Sequence, residues 1–295
     1  MSENPLINIG ELSKPATVLI EKISDAVGGI FEPYQIKRVA KAEAEAKVIE
    51  AKAEIEVTEL QRRAFRRFLK EEERKQRNIE EITKKALPQL SEAAQPDKVE
   101  EDWIANFFDK SHLISDDEMQ TLWSRVLAGE ANSPGTYSKR TINFLSSLDK
   151  SDADLFTRLC GFGWKLYEEE IIPLIYNLEE EIYSDNGMKF EVLTHLESIG
   201  LITFSSIGGL SQTELPEKIN ANYFGKTVEL FLPQNEKTLA IGKVLLTKVG
   251  QELAPISGGL QIKGFFEYMC EKWASHGFIK KEELPEDNQP TVKIE

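Results

Sequence analysis

Cysteine is almost missing from this 295-residue chain: Cys160 and Cys270 stand alone and far apart. Two such residues make neither a disulfide framework nor a thiolate metal pattern, and reduced thiols point to a cytoplasmic setting. Histidine is equally scarce. His112, His195 and His276 fall in separate segments, without the HExxH or paired-cysteine spacing of a zinc site. No GxSxG elbow occurs, and Gly161-Phe162-Gly163 lacks the following Lys-Ser/Thr of a phosphate loop. Acidic residues are so numerous that any carboxylate pair could be chosen, which gives no pair meaning. The chain is therefore expected to be no enzyme and to hold no metal or cofactor.

Long apolar runs are also lacking. The longest uncharged stretch, residues 198–213, is rich in Gly, Ser and Thr, and falls short of the roughly 18–20 apolar residues a spanning helix needs. The first residues, MSENPLINIGELSK, show no basic segment followed by an apolar one, so no secretory signal is expected. An excess of basic charge is missing too. The formal net charge is -14, which disfavours wholesale nucleic-acid binding but leaves room for a local basic patch.

Glycine and proline are absent from residues 37–86, and what fills that stretch is Ala, Glu, Lys, Arg, Leu and Gln. These residues lose least on entering a helix. About fifty of them at 1.5 Å each predict a rod of about 75 Å, too long for one small globule to cover. A thin seam runs through Val39, Ala42, Ala46, Ile49, Ala53, Val57, Leu60, Ala64 and Phe68 in steps of three and four. Its small residues suit side-by-side packing in a homo-oligomer, or packing on the chain's own globule. Within the rod, Arg62, Arg63, Arg66 and Arg67 interleave with Phe65, Phe68 and Leu69. Arginines among aromatics suit an anionic partner, either nucleic acid or lipid headgroups. In the plainer reading, the apolar residues pack inward and the arginines pair with Glu59 and Glu71.

Ahead of the rod, Ser13-Lys14-Pro15 supplies a cap and an early-turn proline. The following helix puts Leu19, Ile20, Ile23, Val27, Ile30 and Phe31 on one face. Pro33 ends it. This face has two readings. One is packing, against the globular part or a sister subunit. The other is peripheral contact with a membrane surface, against which the weakly basic polar side counts.

After Pro88 and Pro96, short aromatic-rich helices are expected over residues 100–108, from a capping box at 115–118, over 138–148, and from Ser151 onward. Beyond residue 168 the pattern mixes. A helix at 188–199 leads into a strand at 200–203, strands are expected at 227–232 and 239–246 as a hairpin, and helices at 247–253 and 264–276. Helix, strand and hairpin in that order suggest a winged-helix-like unit, an architecture that serves DNA and protein partners alike. Its reading helix offers only Lys189 and His195 beside Glu191 and Glu197. The fold expected is thus mainly α. It has an amphipathic helix in 1–33, a rod over 34–87 and a helical subdomain over 98–165. A winged-helix-like α+β unit follows over 166–280, with a polar tail over 281–295.

Three stretches, EKISDAVGGIFEPYQIKRVAKAEAEAK, LQRRAFRRFLKEEERKQRNIEEI and LWSRVLAGEANSPGTYSKRTINFLSSLDKSDADLF, resemble bacterial proteins of unknown function related to the Abi-alpha type, associated with abortive infection. The resemblance covers most of the chain up to about residue 160 and extends more loosely through LLTKVGQELAPISG. It implies a setting in phage defence by association and carries over no catalytic residues. Two functions are expected on these grounds. The first is a non-enzymatic self-associating effector or scaffold; the second is a winged-helix regulator that binds nucleic acid through its C-terminal unit and the arginine cluster.

Overall fold

A computed structural model describes residues 12–30, 58–166, 170–232 and 237–279. The chain divides between Leu148 and Asp149 into two compact units. The division leaves the helix that follows Asp149 outside the helical unit, where a boundary near residue 165 was expected.

Unit 1 is helical. Helix α1 (Lys14–Val27) starts where Ser13 Oγ accepts the Ala16 N–H, and ends where Gly28 turns left-handed at φ 82° and donates its N–H to Ser24. Helix α2 (Glu59–Ala86) starts at Thr58, whose backbone is extended at ψ 154°. Gln61 N–H donates to Thr58 Oγ1, and Thr58 N–H donates to Gln61 Oε1 at 2.9 Å. This reciprocal box satisfies two donors that a helix start leaves open. Of the expected rod, only the part from Thr58 onward is described: the Thr-Glu-Leu-Gln order starts a helix there, and the 28 residues of α2 give about 42 Å. The seam from Val39 to Val57 lies outside the described residues, as do Phe31 and Pro33.

Two 3-10 turns, Leu87–Gln89 and Pro96–Lys98, lead into α3 (Glu101–Ser111), α4 (Asp117–Asn132) and α5 (Lys139–Leu145). The cap of α4 is Asp116, taking the N–H groups of Glu118 and Met119 at 3.1 and 3.0 Å, one residue later than the expected box. Phe107 sits at the centre of the core, stacked on Trp103 at 5.2 Å and edge-on to Trp123 at 5.1 Å. Such pairs add about 0.5–1.5 kcal/mol beyond the area they bury. The C-terminal half of α2 docks here through Ile79, Ile82 and Ala86, all buried. Asn78 fixes its height, donating to the carbonyl of His112 at 2.8 Å and to Ser115 Oγ at 3.1 Å.

Unit 2 mixes helices with short strands. In order come α6 (Lys150–Cys160), β1 (Gly163–Lys165), β2 (Ile171–Pro173), α7 (Glu181–Ser184), α8 (Phe190–Ser198) and β3 (Ile202–Phe204). Then follow β4 (Leu210–Gln212), β5 (Lys218–Tyr223), β6 (Lys226–Phe231), β7 (Leu239–Gly242), β8 (Val244–Leu246), α9 (Lys248–Leu253) and α10 (Phe265–Ser275). A four-stranded sheet runs β2-β1-β5-β6, while β3 pairs β8 and β4 pairs β7, all antiparallel.

The expected hairpin between 227–232 and 239–246 is not formed. Phe224 and Gly225 both take positive φ, 47° and 87°, the geometry of a two-residue turn whose twist suits paired strands. That turn folds β6 straight back on β5. The second expected strand is broken by Gly242 at φ 90°, so β7 faces β4 and β8 faces β3. Trp164 holds the core, stacked on Tyr223 at 4.9 Å and on Phe266 at 5.6 Å, with Trp273 edge-on at 4.9 Å.

Candidate interaction surfaces

Each of the three histidines makes a contact within the fold. His112 Nδ1 meets the Phe108 carbonyl at 2.9 Å, His276 Nδ1 the Lys272 carbonyl at 2.7 Å, and His195 Nε2 the Asp152 carboxylate at 2.8 Å. Among the described residues, no three or more His, Cys, Asp or Glu gather as a metal site. Both cysteines are buried. Burial pushes the Cys160 thiol up to about 12 and the Cys270 thiol to about 11, far from the thiolate a nucleophile requires. Burial likewise raises Tyr223 and Tyr268 to about 12. Tyr223 OH serves structure, donating to the Gly161 carbonyl at 2.7 Å and accepting the Ile262 N–H at 2.6 Å.

The face expected on α1 is placed inside unit 1. Leu19 and Ile23 are 0% exposed, Ile20 2% and Ile30 0%, and Val27 is half-buried. The helix lies against α3 and the Pro96–Lys98 turn. Lys22 Nζ donates to the Val99 carbonyl at 2.6 Å, and Gln76 Nε2 reaches back from α2 to the Gly29 carbonyl at 3.2 Å. Each fully buried Leu or Ile contributes about 1.5–3 kcal/mol. Seated in this way, Leu19, Ile20, Ile23 and Ile30 are covered by unit 1, as the packing reading expects, and are not open to a membrane or a sister subunit; Phe31 lies outside the described residues.

The arginine cluster behaves the opposite way. Every residue from Thr58 to Glu71 is exposed, including Leu60 at 68%, Phe65 at 42%, Phe68 at 55% and Leu69 at 50%. The expectation that these side chains pack inward is therefore corrected. Turning about 100° per residue, Phe65 and Phe68 lie on the same side of α2 as Ile79, Ile82 and Ala86. That side forms a seam with alternating steps of four and three: Gln61, Phe65, Phe68, Glu72, Lys75, Ile79, Ile82, Ala86. Its lower end is buried and its upper end is open. An i,i+3 pair, Lys75 Nζ to Glu72 Oε1 at 2.7 Å, bridges the two parts.

On the opposite side of α2 lie Arg63, Arg66, Arg67, Lys70, Arg74 and Arg77, all exposed. The expected pairings form in part: Arg62 meets Glu59 at 3.7 Å and Arg67 meets Glu71 at 3.6 Å, while Arg77 meets Glu73 at 2.9 Å. Exposed pairs of this kind hold weakly, about 0.3–0.5 kcal/mol each. Among the described residues, Arg63, Arg66, Lys70 and Arg74 have no ion pair. Reading the sequence as one short cluster missed that the basic residues continue at three- and four-residue steps to Arg77. That spacing was the signal.

No helix among the described residues is long and apolar enough to cross a membrane. No curated protein and no solved structure matches the chain. Residues 62–270 match the family described as "Protein of unknown function (DUF2806)"; the match takes in most of α2 and runs through both units to α10, and the chain belongs to this family.

Proposed function

We propose that the chain is a non-enzymatic scaffold that self-associates through the open upper half of α2. One observation carries the reading: Phe65 and Phe68 stand uncovered on the same heptad seam that buries Ile79, Ile82 and Ala86. Alternating steps of four and three are the spacing two helices need to interlock side chains. A second copy offers a matching seam, and Gln61, Glu72 and Lys75 within it would fix the register at some cost in strength. The resemblance to Abi-alpha type proteins supports a setting in phage defence by association alone.

The test is light scattering coupled to size exclusion on the full chain and on a Phe65→Glu/Phe68→Glu variant. The expected outcome is an oligomer for the former and a monomer for the latter. A monomeric parent at tens of micromolar would overturn the reading.

We also read unit 2 as winged-helix-like. The order α6, β2, α7, α8, β3, β8 supports this, with β4–β7 inserted between β3 and β8 and Ile175 bridging to Gly242 beside β8. Its chemistry favours a protein contact over DNA. On α8, His195 is tied to Asp152 and Glu197 caps the Phe204 N–H at 2.7 Å, which leaves Lys189 as the helix's one uncommitted cation, beside Glu191.

A further inference from the structure

We propose that Arg63, Arg66, Arg67, Lys70 and Arg74 form a stripe that binds the phosphate backbone of duplex nucleic acid without reading its sequence. The five cations follow one side of α2 at three- and four-residue spacing, a row about 16 Å long. All are exposed, and four have no ion pair among the described residues. Like charges at this spacing repel one another along the helix, so the row weakens α2 until an anion neutralises it. A linear polyanion matches a linear row. Duplex DNA carries one charge per about 1.7 Å of axis, which brings several phosphates within reach, and four of the five cations are guanidinium groups, which grip phosphate bidentately.

The geometry separates this partner from a membrane. An amphipathic helix lying on lipid turns its apolar side into the bilayer and the centre of its polar side to water. With Phe65 and Phe68 inserted, Arg63, Lys70 and Arg74 would point away from the headgroups. A broad anionic sheet would also meet the rest of a chain whose net charge is -14. A duplex confined to the stripe meets chiefly local charge, since screening acts within about 8 Å at physiological salt. Because the stripe and the seam lie back to back, self-association leaves the stripe free, and binding does not depend on it.

The experiment titrates the full chain against a fluorescent 30-base-pair DNA duplex from about 50 mM to about 200 mM salt, with phosphatidylglycerol vesicles as a second probe. Five contacts predict a slope of log affinity on log salt near -4.5, or about a 500-fold loss over that range. In an Arg63→Ala/Lys70→Ala/Arg74→Ala variant the slope should fall by about one per cation removed, with affinity at low salt down more than tenfold. Alanine favours the helix, so α2 should persist by circular dichroism, and an all-lysine version of the stripe should still bind. The proposal is overturned if the duplex fails to bind at low salt, if the triple variant binds with unchanged slope, or if vesicles bind through these residues and the duplex does not. An unchanged oligomer mass in the triple variant would keep this result distinct from the self-association test.

Discussion

The carboxylate of Glu130, 3% exposed near the end of α4, accepts the Tyr137 N–H at 2.9 Å and the Gly135 N–H at 2.7 Å. One buried acid thereby closes the Asn132–Tyr137 turn that carries the chain from α4 toward α5. Trp103 Nε1 donates to the carbonyl of the same Tyr137 at 2.7 Å, so both backbone groups of that residue are held.

Burial is the largest influence on Glu130 and raises its pKa. The N–H groups of Gly135, Tyr137 and Thr136 pull it back, and the charge of Glu100 adds to the rise. A carboxyl whose folded pKa exceeds its unfolded one contributes stability in full below the unfolded value, and loses it as pH rises through the folded value. Lowering the pH from neutral into the carboxylate range should thus add stability at this site. Glu130→Gln should remove that component, and the difference between urea midpoints of parent and variant across pH isolates it. Glu130→Ala should cost at least about 1–3 kcal/mol at neutral pH, because buried donors lose their acceptor.

Gly242 should be irreplaceable for two separable reasons. Its φ is 90°, and an added Cβ would lie 2.3 Å from the Ile175 carbonyl oxygen. Left-handed backbone costs about 1–2 kcal/mol and forced overpacking about 1–3 kcal/mol, so Gly242→Ala should lose about 2–5 kcal/mol. Gly225 has a similar φ of 87° with nothing within 4 Å of its Cβ position, and Gly225→Ala should lose only the first part. Equal losses in thermal or urea unfolding would mean that the close approach to Ile175 carries no energy.

These two glycines also mark where sequence reading stops. Helices over α3, α4, α8, α9 and α10 were legible, because their apolar positions repeat at three and four. Strand partners were not. A strand's alternation says which side faces inward, while pairing is set by turns. A Phe-Gly turn lacks the Asn-Gly signal that marks a tight hairpin, and nothing local announces that Gly242 splits β7 from β8. The Thr58–Gln61 box was visible as residues but hidden inside a stretch of uniformly high helix propensity. For the candidate surfaces, periodicity gave both α1 and α2 an apolar side. Which apolar face is covered depends on α3 and the Pro96–Lys98 turn, a tertiary fact that periodicity does not contain.

The thiols offer a readout of opening. Cys160 is held up to about 12 and Cys270 to about 11 by burial, whereas an exposed cysteine titrates near about 8.5. At pH about 8, both should react with a disulfide reagent only as fast as unit 2 opens, and at the ordinary rate in denaturant. Cys160, which burial pushes higher even though the Ser257 hydroxyl pulls it down, should be the slower. Rapid native-state reaction at either would contradict the burial.

Ile23 decides between the two roles of α1. As a core residue at 0% exposure, Ile23→Ala should cost about 2–5 kcal/mol and lower the melting temperature of the full chain, with a paired loss for Leu19→Ala. A membrane face would respond the other way. Its variants would leave stability within about 0.5 kcal/mol, as surface changes do, and would weaken vesicle binding instead. Measuring both quantities on the same variant separates the readings, since burial against α3 and insertion into lipid place the same side chain in two environments that cannot be occupied together. A stability loss without a vesicle signal assigns the face to the fold. A vesicle signal that grows as α1 is loosened by Ser13→Ala, which removes its N-cap at about 1 kcal/mol, would show that the helix leaves unit 1 to reach the membrane.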